Sequence, residues 1–435
     1  MSNHRSDEKV FRDIVHNFIY VTDKPILDLI NTKEMQRLRR IKQLGTSYLT
    51  YHSAEHTRFT HSLGTYEIMR KVLSIFQRNG LLNIDEDERL LYLCSALLHD
   101  IGHGPFSHAI EKVIDRNHEE WTKEIIEGDT EINKVLRGVD ANFPKYISDI
   151  ISKVSSKKLI INLISSQLDV DRMDYLLRDS IVAGVSYGHF DLERLLRVLI
   201  PYNDIVVVKE SGLHCVEQYL LARYYMYWQV YFHPTTRSAE IILKKIFERA
   251  IFLYKNDEIK DYFLPKPIKS LLKNDLSLEE FLKLDEIMVL YCFKEWTNSK
   301  DEILSDLCNR FINRRLFEYI DCKESVLKEP MLFFEIQECL KELYDKKGIK
   351  LEYYFDIDRP RDVSYDYYRP GEKEEKVAIN IYSGTKIVEL SRKSKPVSAL
   401  AGEELIQHRI YYVSDMIGKD DSKLKEILNK ISGVK

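Results

Sequence analysis

Apolar residues recur at every third or fourth position along most of the chain between residues 24 and 320. This spacing is typical of helices that bury one face, so the sequence predicts a mainly α protein. The segment 87–99 is apolar on nearly every side, and Gly102 and Gly104-Pro105 follow it as helix breakers. Helices are predicted at 32–39 with Thr32 as N-cap, at 87–99, at 160–179, and as one or two long helices within 214–253.

A short β signal interrupts the helical pattern near the middle of the chain. Residues 205–208 are Ile-Val-Val-Val, a composition that favours a strand. We predict one arm of a small hairpin near 205–215, closed at Ser211-Gly212.

The pattern of apolar and polar residues changes after about residue 320. Strands are predicted at 349–355 and 377–382, and a helix at about 398–417. We therefore expect a mainly α fold: a helical core over residues 1–320 that carries the hairpin, and a smaller C-terminal α+β lobe over residues 321–435.

Composition and charge narrow the class of protein. The 65 Lys and Arg against 69 Asp and Glu give a net charge of -4, so nucleic-acid binding is not indicated. The six cysteines include no Cys-x-x-Cys pair, which argues against a disulfide framework or a thiolate zinc site and favours a cytoplasmic protein. The polar N-terminus lacks a signal-peptide core, and the longest apolar run, Leu90 to Leu98, is too short to span a membrane.

Three separated stretches can supply one metal site. His61, the adjacent pair His99-Asp100, and Asp171 together offer two imidazoles and two carboxylates. Such a mixed set suits a divalent Mg, Mn, Zn, Fe or Ni ion, and it leaves coordination positions open for water and substrate. The pattern therefore predicts a hydrolytic metal centre. The neighbouring carboxylates Asp169 and Asp174 are expected to be structural or solvated.

Several motifs, taken together, resemble one family. The chain resembles the HD-domain superfamily of metal-dependent phosphohydrolases, and more closely its deoxynucleoside triphosphate triphosphohydrolases. The motifs that carry the resemblance are Gln36-Arg37-Leu38-Arg39, Ile41-Lys42-Gln43-Leu44-Gly45, Arg58 to Gly64, His99 to His108, Asp169-Val170-Asp171-Arg172 with Tyr175 and Asp179, and Tyr231-Phe232-His233.

The resemblance implies roles for further residues. His108 would protonate the leaving oxygen or activate water, Glu111 would orient it, and His103 and His118 would line the phosphate channel, although a histidine in this turn can also simply bond to backbone. The expected phosphate-binding cations are Arg58, Arg172 and Arg223. The expected sugar-binding residues are Gln43, Leu44, Tyr175, Asp179, Tyr231 and His233, with Tyr231 against C2′ so that a 2′-OH has no room.

Regulation by a second nucleotide is also implied by the resemblance. Asn31, Gln36, Arg39 and Arg392 match positions near a site where an activating nucleotide, dGTP or GTP, stabilises a homotetramer. Two positions depart from animal members: Asn31 replaces an Asp that contacts guanine, and Glu318 replaces an Arg.

The expected function is hydrolysis of a dNTP to a deoxynucleoside and inorganic triphosphate. The alternatives are an HD-type phosphodiesterase or nucleotidase acting on other nucleotides or single-stranded nucleic acid, and a non-catalytic nucleotide-sensing oligomer. The three arginines argue against a monophosphate substrate, which needs fewer cations.

Overall fold

The structure, a computed structural model, is mainly helical, which confirms the predicted fold class. It describes residues 5–259, 264–323, 330–363, 365, 378–384, 386–402, 404–418 and 421–432. The chain forms two compact units, one from residues within 1–230, 276–288 and 363–403 and the other from residues within 231–275, 289–362 and 404–435. Residues 363–403, predicted as part of the C-terminal lobe, thus belong to the first unit. Among the described residues, no helix has the length and apolarity needed to cross a bilayer.

An N-terminal β-hairpin, which the sequence analysis did not predict, precedes the first helix. Arg5–Asp13 pairs antiparallel with Asn17–Asp23 around a turn in which Asn17 has a φ of 60°. Alternate residues of the second strand are buried, Ile19 and Val21 completely. The alternation of buried and exposed residues covers only a few positions, and its partner strand is mostly polar. The sequence pattern therefore does not indicate a hairpin here.

The first unit is built mainly from helices. Three of them, which we name the His61 helix (Arg58–Arg78), the His99 helix (Glu86–Leu98) and the Asp171 helix (Val170–Ala183), form its centre, and the first packs against both others. The other α-helices are Lys24–Asn31, Lys33–Arg37, His108–Ile114, His118–Glu127, Glu131–Arg137, Phe143–Ile151, Lys158–Ile164, Leu192–Val198, Leu213–Met226, Leu278–Phe281 and Lys395–Leu400.

Three predicted helical segments are observed, among them 214–253 as the two helices Leu213–Met226 and Pro234–Lys255, and a fourth segment is divided. Thr32 caps Lys33–Arg37 by accepting a hydrogen bond from the Met35 amide, and the apolar segment 87–99 forms the His99 helix. The predicted helix 160–179 is interrupted, because the Asp169 side chain accepts from the Arg172 amide and begins a new helix there.

The hairpin in the middle of the chain belongs to a larger sheet. Ile205–Lys209 pairs with Leu199–Tyr202 across Asn203 and Asp204, both with positive φ, so the turn precedes the strand and does not lie at Ser211-Gly212. Asn and Asp tolerate this left-handed backbone, a signal that was available in the sequence. Two further strands, Asn380–Tyr382 and Ile387–Glu389, complete a four-stranded sheet.

The second unit combines helices with a small sheet. Arg409–Tyr412 is the buried central strand between Glu318–Asp321 and Phe355–Asp358, both antiparallel to it. Two short strands are Arg361–Val363 and Glu404–Ile406. The helices are Pro234–Lys255, Lys266–Lys273, Glu302–Ile312, Pro330–Lys346, Leu351–Tyr354 and Ser422–Ser432; Glu286–Trp296 begins within the first unit's residues.

The predicted C-terminal elements are only partly correct. The segment 349–355 is mostly the helix Leu351–Tyr354, with the strand beginning at Phe355. The strand at 377–382 is observed from Asn380, while Val377 lies outside the described residues. The predicted helix 398–417 is wrong, because Glu404–Ile406 and Arg409–Tyr412 are strands there.

Candidate active site

Three helix ends bring the predicted metal ligands together. His61 lies in the first turn of its helix, His99 directly follows Leu98, and Asp171 is the second residue of its helix. His61 Nε2 lies 3.0 Å from Asp171 Oδ1 and 3.7 Å from Asp100 Oδ2. His99 Nε2 lies 3.5 Å from an oxygen of each of these carboxylates. The ligand atoms of His61, His99 and Asp171 all lie within 4.8 Å of one another, and we call these three residues the first cluster.

The donor set of the first cluster fits a divalent metal ion. Nε2 of His61 and Nε2 of His99 are buried, and neither has a hydrogen-bond partner among the described residues. Burial of an unpaired polar atom costs free energy unless something binds it. Both nitrogens face carboxylate oxygens, which is the arrangement that a cation between them would satisfy.

The electrostatics of the first cluster also favour a positive charge. Burial lowers the pKa of His61, but the neighbouring carboxylates of Asp171 and Asp174 outweigh it and raise that pKa to about 10. Burial raises the pKa of Asp171, yet His61 and His99 together bring it below its ordinary value. Carboxylates that hold a proton on His61 would hold a metal ion in its place.

A buried network behind His61 fixes its orientation. Nδ1–H of His61 donates to Asp174 Oδ2 at 2.9 Å, which leaves Nε2 for the metal side. Asp174 also accepts from Arg178 at 2.8 and 2.9 Å and lies 2.8 Å from His16 Nε2, while Arg178 donates to Asp13 at 2.8 Å. The expectation that Asp174 is structural or solvated missed this role, because two of its partners come from the N-terminal hairpin.

Gly64 allows this network to approach the His61 helix. A Cβ on Gly64 would lie 1.8 Å from Asp174 Oδ1 and 2.5 Å from an Arg178 nitrogen. No side chain fits at such distances, so the residue in the motif Arg58 to Gly64 is a packing requirement of the site.

Asp100 lies beside the first cluster and is paired with Arg58. The Arg58 guanidinium makes an ion pair with Asp100 and donates to Ser107 Oγ at 3.0 and 3.1 Å. Burial raises the pKa of Asp100, but the charges of His99 and Arg58 outweigh it and keep that pKa well below its ordinary value. Asp100 is therefore an anion close to the proposed metal position, and its ion pair holds Arg58 beside that position.

The four predicted acid–base residues form a second cluster, which we define as His103, His108, Glu111 and His118. Their ligand atoms also lie within 4.8 Å of one another. Glu111 Oε1 lies 2.9 Å from His118 Nδ1, 3.1 Å from His108 Nδ1 and 3.5 Å from His103 Nδ1. The rings of His103 and His118 are stacked at 3.9 Å. Burial raises the pKa of Glu111, but hydrogen bonds from His108 and His118 outweigh it and lower that pKa below its ordinary value.

A carboxylate distant in sequence holds the loop that precedes His108. Glu286 Oε1 accepts hydrogen bonds from the Lys42 amide at 2.8 Å and the Phe106 amide at 3.2 Å. Phe106 and Ser107 both have left-handed φ values, 58° and 53°, which non-glycine residues rarely adopt. Burial raises the pKa of Glu286 to about 7. Sequence analysis gave no role to Glu286, because nothing local marks it as part of the site.

Two of the predicted sugar-binding residues share a third partner. Asp179 Oδ1 lies 2.8 Å from His56 Nε2, and the Gln43 amide donates to the His56 carbonyl at 3.0 Å. Gln43 Oε1 is buried and has no hydrogen-bond partner among the described residues. Leu44 is half-buried next to it, and Ser107 Oγ lies 3.4 Å from the Gln43 carbonyl. His56 was not predicted, although it lies five residues before His61.

The predicted cations and Tyr175 lie in one region of the first unit. The rings of Tyr175 and His61 are 6.4 Å apart. Burial raises the pKa of the Tyr175 hydroxyl well above its ordinary value, and the charges of Arg172 and Arg223 oppose this shift. Arg172 makes an ion pair with Asp169 and donates to the Ser166 carbonyl, so it is already anchored. Arg223 is buried, with its guanidinium 5.3 Å from the Tyr227 ring.

The remaining predicted sugar residues belong to the second unit. Tyr231 ends the π-helical turn Tyr227–Tyr231, and His233 is the N-cap of Pro234–Lys255, accepting from the Thr235 amide at 3.2 Å. Burial lowers the pKa of His233, and Arg409 lowers it further. Their place in a sugar pocket stays a prediction.

Three of the four predicted regulatory residues are neighbours. Gln36 donates to the Ile30 carbonyl at 2.7 Å, beside the exposed Asn31, and accepts from Arg39 Nε at 2.9 Å. The Arg39 guanidinium lies 3.6 Å from the Phe59 ring centre. Arg392 is exposed in the 3-10 turn Leu390–Arg392. Glu318 accepts from Ser414 Oγ at 2.7 Å in the second unit.

Family models match most of the chain. The HD domain matches residues 58–179, which include every member of both clusters, and the HD associated region matches residues 190–429. The chain belongs to the HD-domain family. HD domains bind divalent metal ions, and the ligand atoms of His61, His99 and Asp171 are close enough together to hold one here, with Asp100 beside them.

Relatives extend this assignment across the chain. An uncharacterized protein, YwfO of Bacillus subtilis, is 50% identical over 98% of this chain and 96% of its own. A crystal structure of a phosphohydrolase from Bacteroides thetaiotaomicron is 30% identical, with a TM-score of 0.82 over 94% of this chain and 100% of that one. A deoxynucleoside triphosphate triphosphohydrolase SAMHD1 homolog of Dictyostelium discoideum is 28% identical over 73% of this chain and 61% of its own. The chain is therefore an HD-domain phosphohydrolase that resembles the dNTP triphosphohydrolases.

Proposed function

We propose that this HD-domain phosphohydrolase hydrolyses dNTPs to deoxynucleosides and inorganic triphosphate. The observation that carries the proposal is the connection between the first cluster and the predicted sugar residues. Arg58 pairs with Asp100 and with Ser107, and the Ser107 hydroxyl also contacts the backbone of Gln43. Gln43 in turn is linked through His56 to Asp179. The metal position and the residues expected to bind the 3′-OH thus belong to one bonded network.

The residues around the metal position suit a polyphosphate. His61, His99, Asp100 and Asp171 would hold a divalent ion, which would supply polarisation of a phosphoryl oxygen and acidification of water. Arg58, Arg172 and Arg223 supply further positive charge for the phosphates. Their anchoring by Asp100, Asp169 and Tyr227 fixes the guanidinium groups before substrate arrives, which lowers the entropy cost of binding.

The second cluster suits proton transfer to the leaving group. In the proposed step, a water oxygen forms a bond to the α-phosphorus and loses a proton to solvent, while the bond from phosphorus to O5′ breaks. His108 gives its proton to O5′, so that a deoxynucleoside and triphosphate leave. Glu111, hydrogen-bonded to His108 Nδ1 at 3.1 Å, orients the imidazole for this transfer.

Selectivity for deoxyribose rests on the sugar residues. Gln43 Oε1, which has no hydrogen-bond partner in the described part of the chain, and the Asp179 carboxylate offer acceptors for a 3′-OH. Leu44 and Tyr175 complete the proposed pocket within the first unit. The roles that the resemblance implies for His233 and for Tyr231, which would occupy the space of a 2′-OH, stay predictions. Such exclusion acts by steric clash rather than by a missing hydrogen bond.

Activation by a nucleotide belongs to the same proposal. The joined Gln36 and Arg39 side chains beside Asn31 form a polar surface that can bind a nucleotide, and Arg392 would add a phosphate contact. Because Asn31 cannot accept both donor hydrogens of guanine, we expect weaker selection of dGTP or GTP than an aspartate gives. A homotetramer is the proposed active assembly.

Product analysis tests the proposal. Metal-loaded protein is incubated with each dNTP and its ribonucleotide, with and without dGTP or GTP, and the products are separated by chromatography. We expect deoxynucleoside and triphosphate from dNTPs and no products from the ribonucleotides. His61→Ala should show no turnover, and the control His214→Ala should show full turnover. Monophosphate with pyrophosphate, or orthophosphate, would refute the assigned reaction and favour another nucleotidase.

A further inference from the structure

Two segments of the first unit meet at one buried carboxyl group that takes no part in the proposed chemistry. Glu286 Oε1 accepts hydrogen bonds from the Lys42 amide at 2.8 Å and from the Phe106 amide at 3.2 Å. Gln43 follows Lys42, and His108 lies two residues after Phe106. One oxygen atom therefore joins the segment that carries a proposed sugar-binding residue to the segment that carries the proposed proton donor.

Further contacts bring the same two segments together. The Ser107 hydroxyl donates to the Lys42 carbonyl at 3.1 Å. A Cβ on Gly45 would lie 3.0 Å from the Phe106 carbonyl oxygen, so the two backbones approach closely at this point. The relative position of the two segments depends on these contacts, to which Glu286 adds a hydrogen bond from each segment.

The backbone that precedes His108 needs such support. Phe106 and Ser107 have φ values of 58° and 53°, in the left-handed region that non-glycine residues rarely adopt. A backbone of this kind persists where the surrounding structure determines it. Glu286 accepts from the amide of the first of these two residues and so fixes the start of the turn. Because His108 follows directly, the place of its imidazole depends on that turn.

Glu286 acts on these segments through hydrogen bonds to backbone rather than through an ion pair. The Lys42 ammonium pairs with Glu55 at 2.7 Å, so it is the Lys42 amide that binds Glu286. Both amides donate to Oε1, and Oε2 is buried with no hydrogen-bond partner among the residues that the structure describes. A side chain of the same length with one carbonyl oxygen can therefore replace the carboxyl group in this role.

The residues directly before Glu286 are anchored to a different part of the first unit. The Leu284 carbonyl accepts from Arg37 Nε at 3.2 Å, and Asp285 pairs with Arg40 at 2.6 Å. These bonds hold the backbone from which the Glu286 side chain extends. They also provide a matched control, because the ion pair of Asp285 does not involve either amide that Glu286 binds.

We propose that Glu286 is a positioning residue that fixes the sugar-binding and proton-transfer parts of the site relative to each other. This role rests on the proposed function. Loss of the Oε1 acceptor should displace His108 from O5′ and Gln43 from the 3′-OH together, so that kcat falls and the contribution of the 3′-OH to binding weakens. A misplacement of about 1 Å lowers the rate by about 10²-fold.

Amide hydrogen exchange tests the positioning without reference to activity. Glu286→Met removes the acceptor at similar side-chain length, Glu286→Gln keeps one oxygen, and Asp285→Asn is the control. Exchange at the Lys42 and Phe106 amides of the full chain is followed by mass spectrometry with fragmentation to single residues. We expect faster exchange of both amides in Glu286→Met and the wild-type rate in the other two variants. Unchanged exchange in folded Glu286→Met would overturn the proposal.

Kinetic measurements on the same variants test the consequence for the reaction. Each is assayed with a dNTP and with its 3′-deoxy analogue, and circular dichroism measures the folded fraction. We expect Glu286→Met to lower kcat by about 10–100-fold and to reduce the preference for the 3′-OH, while Glu286→Gln restores both. A fall in kcat that only follows the folded fraction, with the preference unchanged, would overturn the positioning role. Glu286→Asp, which shortens the reach by one methylene, is used in its place if Glu286→Met does not fold, with the same expected results.

Failure of the proposed function would give a different result. A wild type that hydrolyses a chromogenic phosphodiester but no dNTP would refute the proposed dNTP reaction. Loss of that phosphodiesterase activity in Glu286→Met, and its return in Glu286→Gln, would still support the positioning of His108. Equal phosphodiesterase activity in wild type and folded Glu286→Met would overturn it.

Discussion

The two histidine clusters lie side by side but are built differently. The first cluster sits on three long helices and is backed by the buried Asp174 and Arg178. The second lies on a loop with left-handed residues and two shorter helices, His108–Ile114 and His118–Glu127, and its His108 is largely exposed. A metal centre needs fixed ligands, whereas a proton donor needs access to solvent and substrate. The difference in support therefore matches the division of chemistry that we propose.

The largest expected effect comes from removing the support of the first cluster. Asp174→Ala leaves Arg178 buried without one of its carboxylates, and breaking a buried ion pair costs about 3–5 kcal/mol. Loss of the partner of His61 Nδ1 should also weaken metal binding by about 10–100-fold. Denaturant unfolding and metal titration measure the two effects.

Glu111→Ala is the matched change in the second cluster. Because Glu111 is partly exposed, its loss should cost less than about 1 kcal/mol of stability. Equal destabilisation by the two variants would remove the distinction between a rigid cluster and an open one.

Glu286 should make stability depend on pH. Its folded pKa of about 7 is raised above the ordinary value of 4.5, so the folded state binds the proton more tightly than the unfolded state. This contribution is fully present below about pH 4.5 and is lost as the pH rises through about 7, amounting to about 3 kcal/mol. Glu286→Gln keeps an oxygen for the Lys42 and Phe106 amides, and should flatten this part of the profile measured by unfolding at several pH values. An unchanged slope would contradict the assignment.

A smaller effect is expected from filling the space at Gly64. Alanine favours a helix by about 1 kcal/mol over glycine, but here its Cβ would overlap Asp174, so Gly64→Ala should destabilise by a net of about 1–3 kcal/mol. The comparison is Gly102→Ala, whose Cβ would lie 2.2 Å from the His118 carbonyl oxygen. We expect Gly64→Ala to lower the affinity for metal at the first cluster. Gly102→Ala should leave that affinity unchanged, because the backbone that its Cβ would displace belongs to His118 of the second cluster. Thermal unfolding and metal titration of both variants measure these effects. A loss of metal affinity in Gly102→Ala but not in Gly64→Ala would contradict the role of Gly64 in supporting the first cluster.

The sequence predicted the first cluster because its ligands occur in recognisable motifs on amphipathic helices. The members of the second cluster were implied by the resemblance to the HD-domain family, and they lie close together along the chain. The support residues were missed for a physical reason: Asp13, His16 and Glu286 act through contacts with distant segments, and no local pattern shows where a carboxylate will be buried. The C-terminal strands were missed for a related reason, since Arg409–Tyr412 is fully buried and lacks the alternation of a half-exposed strand.

The most direct test of the account compares one residue from each cluster. His61→Gln and His108→Gln are loaded with one equivalent of Mn²⁺, and bound metal and deoxynucleoside release from dNTP are measured on the same samples. The account predicts that His61→Gln loses both metal and turnover, while His108→Gln keeps the metal and loses about 10²–10⁴-fold in turnover. Retained turnover in His108→Gln, or retained metal in His61→Gln, would contradict the division between the two clusters.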